Sequence, residues 1–340
     1  MTIALDATYS VGRNLSGVGV YSRELVHGLA AAHPEARFLH CYRPHRLLRG
    51  LRASALSARL LTEGRPWCSC RLFHGLNQRL PSARFPRAVC TFHDLFVLTA
   101  EYSTPEFRAR FAEQARAAAE RADLIITVSA FTAAQVESLL GIERARLRVI
   151  PHGVRFAGPC SDLAREPLIL HVGALQTRKN LVRLIGAFER AAPPDWRLVL
   201  AGSDGYGAEA VHRRVAGSPC RARIEITGWI DDRQLEALYA RAAVLAFVSL
   251  DEGFGIPALE AMARGAAVIA SRGTALEEVC ADSALLVNPR DEEEIAAALD
   301  GLIASEELRY RYRQLGYTRA RQFPWSRAVE QTWNVYRELL

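Results

Sequence analysis

The sequence of 340 residues lacks several features that mark large classes of protein. It has no run of about 18 or more uncharged apolar residues, so it predicts no transmembrane helix. Its N-terminus meets an acid, Asp6, almost at once and is typical of a first strand, not of a signal peptide. Seven cysteines, scattered and odd in number, argue against a disulfide framework and predict a cytoplasmic protein.

Lysine and closely spaced aspartates are also scarce. Of the 43 basic residues 42 are arginine, and only Lys179 is lysine. It lies in segment 173–180, where its compact ammonium can lie against a diphosphate. The guanidinium of Arg178 can then donate hydrogen bonds to a second oxygen of the same diphosphate. The alternative is a lone surface lysine. Because no two aspartates stand two positions apart, the Asp-x-Asp arrangement for a divalent ion is missing, and neither a metal nor another cofactor is expected.

Charge is unevenly distributed along the chain. The net charge is +6, with 21 arginines and 12 acids in residues 1–160, and 22 basic residues and 25 acids in residues 161–340. In residues 43–71, seven arginines and one acid alternate with leucines at helical spacing. This pattern predicts either peripheral contact with the inner face of an anionic membrane or an ordinary arginine-rich surface helix. No feature points to nucleic acid as a partner.

Both halves alternate strand-like and helix-like patterns, which is typical of α/β proteins with parallel sheets. The predicted strands are 2–7, 36–42, 88–92, 123–128, 146–150, 168–173, 196–201, 222–227, 243–249, 267–270 and 284–287. The predicted helices are 19–32, 105–121, 130–140, 180–191, 206–216, 232–241, 257–264, 291–304 and 325–340. We therefore expect two doubly wound, Rossmann-like domains, 1–160 and 161–322, with ligands in a cleft at the carboxyl ends of the strands.

The most informative segment runs from Glu252 to Glu260 and joins two carboxylates through a glycine-rich turn. A strand precedes the turn and a helix follows it, an arrangement that binds anions through backbone N–H groups and the helix dipole. The two acids would bracket a ligand, because carboxylates accept hydrogen bonds from vicinal hydroxyls. A capping turn between two solvated acids is the alternative. The residues whose N–H groups are expected to face the anion are Gly253, Phe254 and Gly255.

The first half contains two candidate ligand contacts. Ser22 stands where a dinucleotide fingerprint would need its third glycine, so the turn at 16–21 does not predict a nicotinamide cofactor. Gly17 in this turn is interpreted as a point of close approach to a diphosphate, with a purely structural turn as the alternative. His93, which with Asp94 ends an apolar strand, can hydrogen-bond a ligand hydroxyl or stabilise developing charge. A structural histidine is the alternative.

Over nearly the whole chain these segments resemble the retaining glycosyltransferases of the GT-B fold, specifically glycosyltransferase family four. The most specific sign is the pair Glu252 and Glu260, which resembles the family's Glu-x7-Glu element. The resemblance implies that the second domain binds a sugar nucleotide, that the first binds an acceptor, and that segment 323–340 crosses back to the first domain. One departure is Ala174, where many members carry arginine, and Arg178 is expected to replace it. Further agreement comes from segments 128–131, 150–153, 228–232 and 323–325.

The resemblance also implies a role for each matched residue. Glu252 would hold hydroxyls of the donor sugar, Glu260 the ribose hydroxyls, and the backbone near Ile230 the base. The implied catalytic residues are His93, Lys179, Arg178 and Glu252. The implied donor-binding residues are Gly17, Ile230, Gly253, Phe254, Gly255, Ile256 and Glu260.

The expected activity is a metal-independent, retaining transfer of a hexose to a hydroxyl of a lipid-linked saccharide in polysaccharide assembly. GDP-mannose is the expected donor, by analogy with the bacterial mannosyl- and rhamnosyltransferases that the chain resembles. Because no carboxylate is obviously placed beneath the anomeric carbon, we expect a same-face displacement. Three alternatives remain: a UDP- or dTDP-sugar donor, a sugar-nucleotide epimerase on the same two-domain plan, and a silent nucleotide-sugar binding module.

Overall fold

The computed structural model describes residues 1–12, 14–54, 57–64, 69–156 and 165–340. Its contacts divide the chain into unit 1, Met1–Gly153 with Pro324–Leu340, and unit 2, Val154–Phe323. The sequence pattern predicts these divisions after residues 160 and 322 instead, and the linker-like residues 157–164 lie outside the described residues. Contacts of the boundary residues explain why the divisions fall after Gly153 and Phe323. The Val154 N–H donates to the Phe323 carbonyl at 2.8 Å, and the Phe323 ring packs edge-on against Phe254, which attaches both residues to unit 2.

Unit 1 is built on a seven-stranded sheet in which every neighbouring pair of strands is parallel. The strand order is β3-β2-β1-β4-β5-β6-β7, so the order reverses between β1 and β4. The sequence pattern missed β3 and β4, which have only three and four residues. The strands are β1 (Thr2–Asp6), β2 (Arg37–Tyr42), β3 (Ala58–Leu60), β4 (Leu72–Gly75), β5 (Ala88–Phe92), β6 (Leu124–Thr127) and β7 (Leu147–Val149).

Helices cover both faces of this sheet and bury a separate apolar core on each. On one face α1 and the C-terminal helix α13 pack so closely that a Cβ atom at Gly28 would lie 2.4 Å from Cγ2 of Val329. The Ser16 hydroxyl caps α1 by accepting the Gly19 N–H at 3.3 Å. The helices of unit 1 are α1 (Gly17–Ala32), α2 (Pro44–Ser54), α3 (Phe96–Thr99), α4 (Pro105–Arg121), α5 (Ala130–Leu140) and α13 (Trp325–Leu339).

Unit 2 repeats this plan with six parallel strands. The order is β10-β9-β8-β11-β12-β13, so it reverses between β8 and β11. The strands are β8 (Glu166–Val172), β9 (Arg197–Ala201), β10 (Ile224–Gly228), β11 (Ala242–Phe247), β12 (Ala267–Ser271) and β13 (Leu285–Val287). The helices are α6 (Leu181–Ala191), α7 (Ala208–Ala216), α8 (Asp232–Arg241), α9 (Ile256–Ala263), α10 (Ala275–Cys280), α11 (Glu292–Ala304) and α12 (Glu306–Ala320). The sequence pattern missed α10 and α12.

Among the described residues of the arginine-rich segment 43–71, only those at its start are helical. Helix α2 covers Pro44–Ser54 and β3 follows at Ala58–Leu60, while residues 55–56 and 65–68 lie outside the described residues. No helix in the described part of the chain is long and apolar enough to span a membrane.

Candidate active site

The predicted donor residues of unit 2 follow the two strands at which its sheet order reverses. Strands β8 and β11 are parallel neighbours, so their carboxyl ends lie at the same edge of the sheet. Arg178 and Lys179 follow β8, and Glu252 follows β11. The Leu250 N–H donates to the Arg178 carbonyl at 2.7 Å and joins the two loops. Ligands of open α/β sheets bind at such a reversal, because the loops there diverge and leave a crevice.

Asn180 fixes the loop that carries Arg178 and Lys179. Its backbone is left-handed, with φ 61° and ψ 30°, a conformation that asparagine tolerates better than most residues. Its side-chain amide donates to the carbonyls of Val248, at 3.0 Å, and Pro289, at 2.6 Å. One buried side chain therefore holds three loops together at the strand ends.

Glu252 is the point at which the two predicted phosphate-binding cations converge. Its Oε2 accepts from Nζ of Lys179 at 2.5 Å and from Nη1 of Arg178 at 3.0 Å. Burial alone would raise the pKa of the Glu252 carboxyl, but Lys179 and Arg178 outweigh it and lower that pKa to about 2. Glu252 is therefore an ionised acceptor that can take hydrogen bonds from hydroxyls.

Lys179 is held on several sides and only 6% exposed. Its Nζ lies 4.6 Å from the centre of the Phe247 ring, a cation–π contact at the end of β11. A Cβ at Gly173 would lie 3.3 Å from Cε of Lys179, so the lysine stem lies close against the backbone. Beside it, burial and then the charge of Lys179 lower the pKa of His171 to about 3, which keeps this histidine neutral.

The glycine-rich turn leads into α9 as the sequence pattern predicts. Gly255 precedes the helix with φ 105°, and a Cβ there would lie 2.3 Å from Cδ2 of Leu276, so both backbone and packing require glycine. Phe254 and Ile256 are buried, and the Phe254 ring packs edge-on against Phe323 within unit 2. That the N–H groups of Gly253 to Gly255 bind an anion, and that Ile256 contacts the donor, stay predictions.

Glu260 lies in α9 and is only 1% exposed. Its Oε1 accepts from Nε of Arg155 at 2.6 Å, and Nη1 of Arg155 donates to Oδ1 of Asp232 at 2.7 Å. Burial raises the pKa of the Glu260 carboxyl, although the Arg155 guanidinium opposes the shift. Sequence reasoning did not identify Arg155, because nothing in its local sequence distinguishes it from the other arginines.

Ile230 lies between β10 and α8, where contact with a base is predicted. It is half-buried, and Asp231 after it caps α8. The Asp231 carboxylate accepts the Gln234 N–H at 2.8 Å, while the Gln234 side chain accepts the Asp231 N–H at 3.1 Å. This capping box holds the turn in place. The contact with a base stays a prediction.

His93 belongs to unit 1 and is buried at the end of β5. Its Nε2 lies 2.9 Å from the Leu76 carbonyl, which can only accept, so this nitrogen carries the proton. Its Nδ1 lies 3.4 Å from Nε2 of His152, and the Tyr21 ring packs edge-on at 4.7 Å. Burial lowers the pKa of His93 to about 4, so the imidazole is neutral at neutral pH.

Gly17 is the first residue of α1 and is exposed. A Cβ at Gly17 would meet nothing within 4 Å, whereas one at Gly19 would lie 3.0 Å from the Tyr9 carbonyl oxygen. Packing within unit 1 therefore requires glycine at position 19 and not at 17. Close approach of a ligand to Gly17 stays a prediction.

The predicted residues thus fall into two groups, one in each unit. Arg178, Lys179 and Glu252 contact one another in unit 2, and Glu260 in the same unit pairs with Arg155 instead of joining them. His93 and Gly17 lie in unit 1. Within the described ranges no group of three or more His, Cys, Asp or Glu side chains is placed to hold a metal ion.

Comparison with known proteins identifies the family. The model of "Glycosyl transferases group 1" matches residues 162–319, and that of "Glycosyltransferase Family 4" matches residues 45–157. O-antigen chain mannosyltransferase B of Escherichia coli is 30% identical over an alignment of 378 positions that covers 98% of this chain and 99% of the relative. A GDP-mannose-dependent alpha-(1-6)-phosphatidylinositol dimannoside mannosyltransferase of Mycobacterium tuberculosis is 37% identical over 166 residues, 48% of this chain and 42% of the relative.

A solved structure confirms the predicted fold. Sucrose-phosphate synthase from Thermosynechococcus elongatus superposes with a TM-score of 0.78 at 22% identity, and covers 100% of this chain and 99% of its own. The two parallel-sheet, Rossmann-like units are thus those of the GT-B fold. The chain belongs to the family-4, group-1 glycosyltransferases.

Proposed function

We propose that this protein is a retaining mannosyltransferase that moves mannose from GDP-mannose to a hydroxyl of a lipid-linked saccharide in polysaccharide assembly. The observation that carries the proposal is the convergence of Arg178 and Lys179 on Glu252 at the sheet reversal of unit 2. The donor and the pathway are favoured by two relatives, one named for GDP-mannose and the other for the O-antigen chain.

In this proposal Glu252 binds the sugar of the donor, and Arg178 and Lys179 bind its diphosphate. Glu252, ionised between two cations, accepts hydrogen bonds from the hydroxyls of the donor sugar. Lys179 has three donors and Arg178 five, so each can keep its bond to Glu252 and still donate to the diphosphate. The charge on the leaving diphosphate is then stabilised by these cations and the N-terminus of α9, without a metal ion.

The proposed chemical step is a same-face displacement. The bond between the anomeric carbon and the phosphate oxygen breaks, and the acceptor oxygen forms the new bond on the same face. The acceptor proton passes to the departing phosphate oxygen. His93 takes part as a neutral imidazole whose Nδ1 accepts a hydrogen bond from a sugar hydroxyl. This bond would replace the long 3.4 Å contact between Nδ1 and His152.

Donor binding and product analysis test this function. Thermal unfolding is measured with GDP-mannose, UDP-glucose and dTDP-rhamnose, and GDP-mannose is expected to raise the midpoint most, since a ligand that binds the native state stabilises it. Incubation with GDP-mannose and a lipid-linked saccharide should release GDP and give an α-linked mannoside. A β-linked product would overturn the retaining mechanism. Conversion of the sugar nucleotide without an acceptor would instead identify an epimerase.

We also propose that α2 contacts an anionic membrane surface. Leu48 and Leu51 on α2 are 76% and 41% exposed. Arg49 and Arg52 are exposed beside them, whereas Leu47 and Gly50 face the protein. Apolar side chains flanked by arginines are the pattern of a helix that lies in a membrane interface.

Vesicle sedimentation tests this contact. The protein should sediment with vesicles of phosphatidylglycerol and phosphatidylcholine more than with phosphatidylcholine alone, and added salt should reduce the difference. The double variant Leu48→Ser/Arg49→Gln should lose this preference. The control Arg110→Gln, which removes an arginine from α4, should keep it. Equal sedimentation of the wild type with both vesicles would overturn the proposal.

A further inference from the structure

Arg155 is an unassigned residue that connects two regions of the donor site. Its Nε donates to Glu260 at 2.6 Å, and its Nη1 donates to Asp232 at 2.7 Å. Its guanidinium carbon lies over the Phe156 ring, 4.7 Å from the ring centre, in a cation–π contact. All four residues belong to unit 2.

Glu260 depends on this contact more than an exposed acid would. The carboxylate is 1% exposed, and burial of a charge is costly unless hydrogen bonds and an opposite charge compensate. Arg155 supplies both. The planar guanidinium also fixes where the carboxylate oxygens lie, because its N–H groups point in set directions.

The second contact of Arg155 is with the turn that is predicted to meet the base. Asp232 is the first residue of α8 and follows Ile230 and the capping residue Asp231. A base and its ribose are covalently joined, so the residues that bind them must keep a fixed separation. The planar guanidinium of Arg155, which is hydrogen-bonded to both Asp232 and Glu260, would maintain that separation.

We propose that Arg155 is a positioning residue for donor binding, which holds Glu260 in place for the ribose hydroxyls and ties it to the base-binding turn through Asp232. This inference rests on the proposed function, in which Glu260 accepts the ribose hydroxyls. Arg155 and the Tyr239 hydroxyl both interact with the Glu260 carboxylate, which has about four lone-pair sites, so acceptor capacity remains for hydroxyls.

Discrimination between nucleotides with and without ribose hydroxyls tests the inference. Isothermal titration calorimetry compares GDP with 2′,3′-dideoxy-GDP, or the UDP pair where the wild type binds UDP. The wild type should bind GDP about tenfold or more tightly than the dideoxy form, as expected for hydrogen bonds to a charged group. Arg155→Ala should weaken the binding of GDP by a similar factor and leave the affinity for the dideoxy form nearly unchanged. The discrimination between the two nucleotides should therefore disappear. Glu260→Gln should do the same, and the double variant should add little.

A neighbouring ion pair provides the matched control. The Arg264 side chain at the end of α9 pairs with Glu236 of α8, so Arg264→Ala removes a similar link between the same two helices. The substitution leaves the Arg264 N–H, which donates to the Glu260 carbonyl, and the bond between Arg155 and Glu260 in place. Arg264→Ala should retain the discrimination of the wild type. If Arg155 has a purely structural role, Arg155→Ala should bind both nucleotides more weakly by the same factor. If Arg155 instead blocks Glu260 from the ribose, Arg155→Ala should bind GDP more tightly. Either result overturns the inference.

The same titrations separate this inference from the function on which it rests. A wild type that binds neither GDP nor UDP contradicts the proposed function itself. A wild type that binds GDP and the dideoxy form equally removes the ribose role of Glu260 and the inference with it. Discrimination that survives in Arg155→Ala overturns only the role of Arg155.

Discussion

Two cations face Glu252, whereas one guanidinium faces Glu260, although both acids belong to one short sequence element. The pKa of Glu252 therefore falls to about 2, while burial raises that of Glu260. Their spacing in the sequence indicates that both serve one ligand, but it contains no information about which cations fold against each. Arg178 and Lys179 could be predicted because they follow a strand and precede a helix. Arg155 has no such context among 42 arginines.

The lowered pKa of Glu252 predicts a pH-dependent contribution to stability. In the unfolded chain its pKa returns to about 4.5, so the stabilisation is complete above that pH and is lost as the pH falls towards 2. Over this range the unfolding free energy of the wild type should fall by about 3 kcal/mol relative to Glu252→Gln. Urea unfolding of unit 2 at a series of pH values measures the difference. Glu101→Gln, which loses only an exposed pair with Arg108, should show little change.

The buried position of Lys179 predicts that arginine cannot replace it. Lys179→Ala should lower kcat about 100-fold or more, because it removes a charge aimed at the leaving group, while the KM for the acceptor changes little. Lys179→Arg should not restore kcat, since a guanidinium is larger than an ammonium and Lys179 is buried against the Phe247 ring. Steady-state kinetics with saturating donor measure both effects. Arg190→Ala, an exposed residue of α6, is the control, and normal turnover of Lys179→Ala would exclude the phosphate role.

Among the secondary-structure elements, a clear apolar repeat decided which helices the sequence could predict. Helix α12 has 15 residues but was missed, because only Gly316 and Ala320 are buried on it. Helix α4 was predicted at its observed bounds, 105–121, because its apolar positions repeat over several turns. The missed strands β3 and β4 and helix α10 have only three to six residues, although β7 and β13, with three residues each, were predicted from apolar stretches. The short strand β4 nevertheless matters for the site, because the Leu76 carbonyl that fixes the tautomer of His93 follows it directly.

Two glycines of α1 should respond differently to alanine. Gly28→Ala places a methyl group 2.4 Å from Val329 and should destabilise unit 1 by about 1–3 kcal/mol through overpacking. Adding Val329→Ala should recover part of this loss. Gly17→Ala meets no atom within 4 Å and should leave stability nearly unchanged, but it should raise the KM for the donor where a diphosphate approaches Gly17. Thermal unfolding and donor titration distinguish these effects, and an unchanged KM would assign Gly17 to the turn alone.

At the scale of the whole molecule, unit 1 is assembled from two distant parts of the chain. Helix α13 supplies Trp333 and Tyr336 to the core of unit 1, and the Tyr336 hydroxyl lies 2.6 Å from Nδ1 of His74. At the start of the same helix, the Trp325 ring lies 6.0 Å from that of His152, the neighbour of His93. The last helix therefore supports both the core of unit 1 and the surroundings of its candidate catalytic histidine.

This arrangement predicts that removal of residues 324–340 acts on one unit selectively. The truncated chain exposes the apolar face of α1 and leaves His74 without its bond to Tyr336, so unit 1 should lose its cooperative unfolding transition. Unit 2 consists of residues 154–323, so the deletion removes none of its residues, and its strands β8 and β11 should keep their slow hydrogen exchange. Calorimetry and hydrogen exchange measure the two units separately. Full-length Asn334→Ala, altered on the exposed side of α13, should keep both transitions. A truncated chain in which both units unfold together would contradict this division, because unit 2 would then depend on a segment it does not contain.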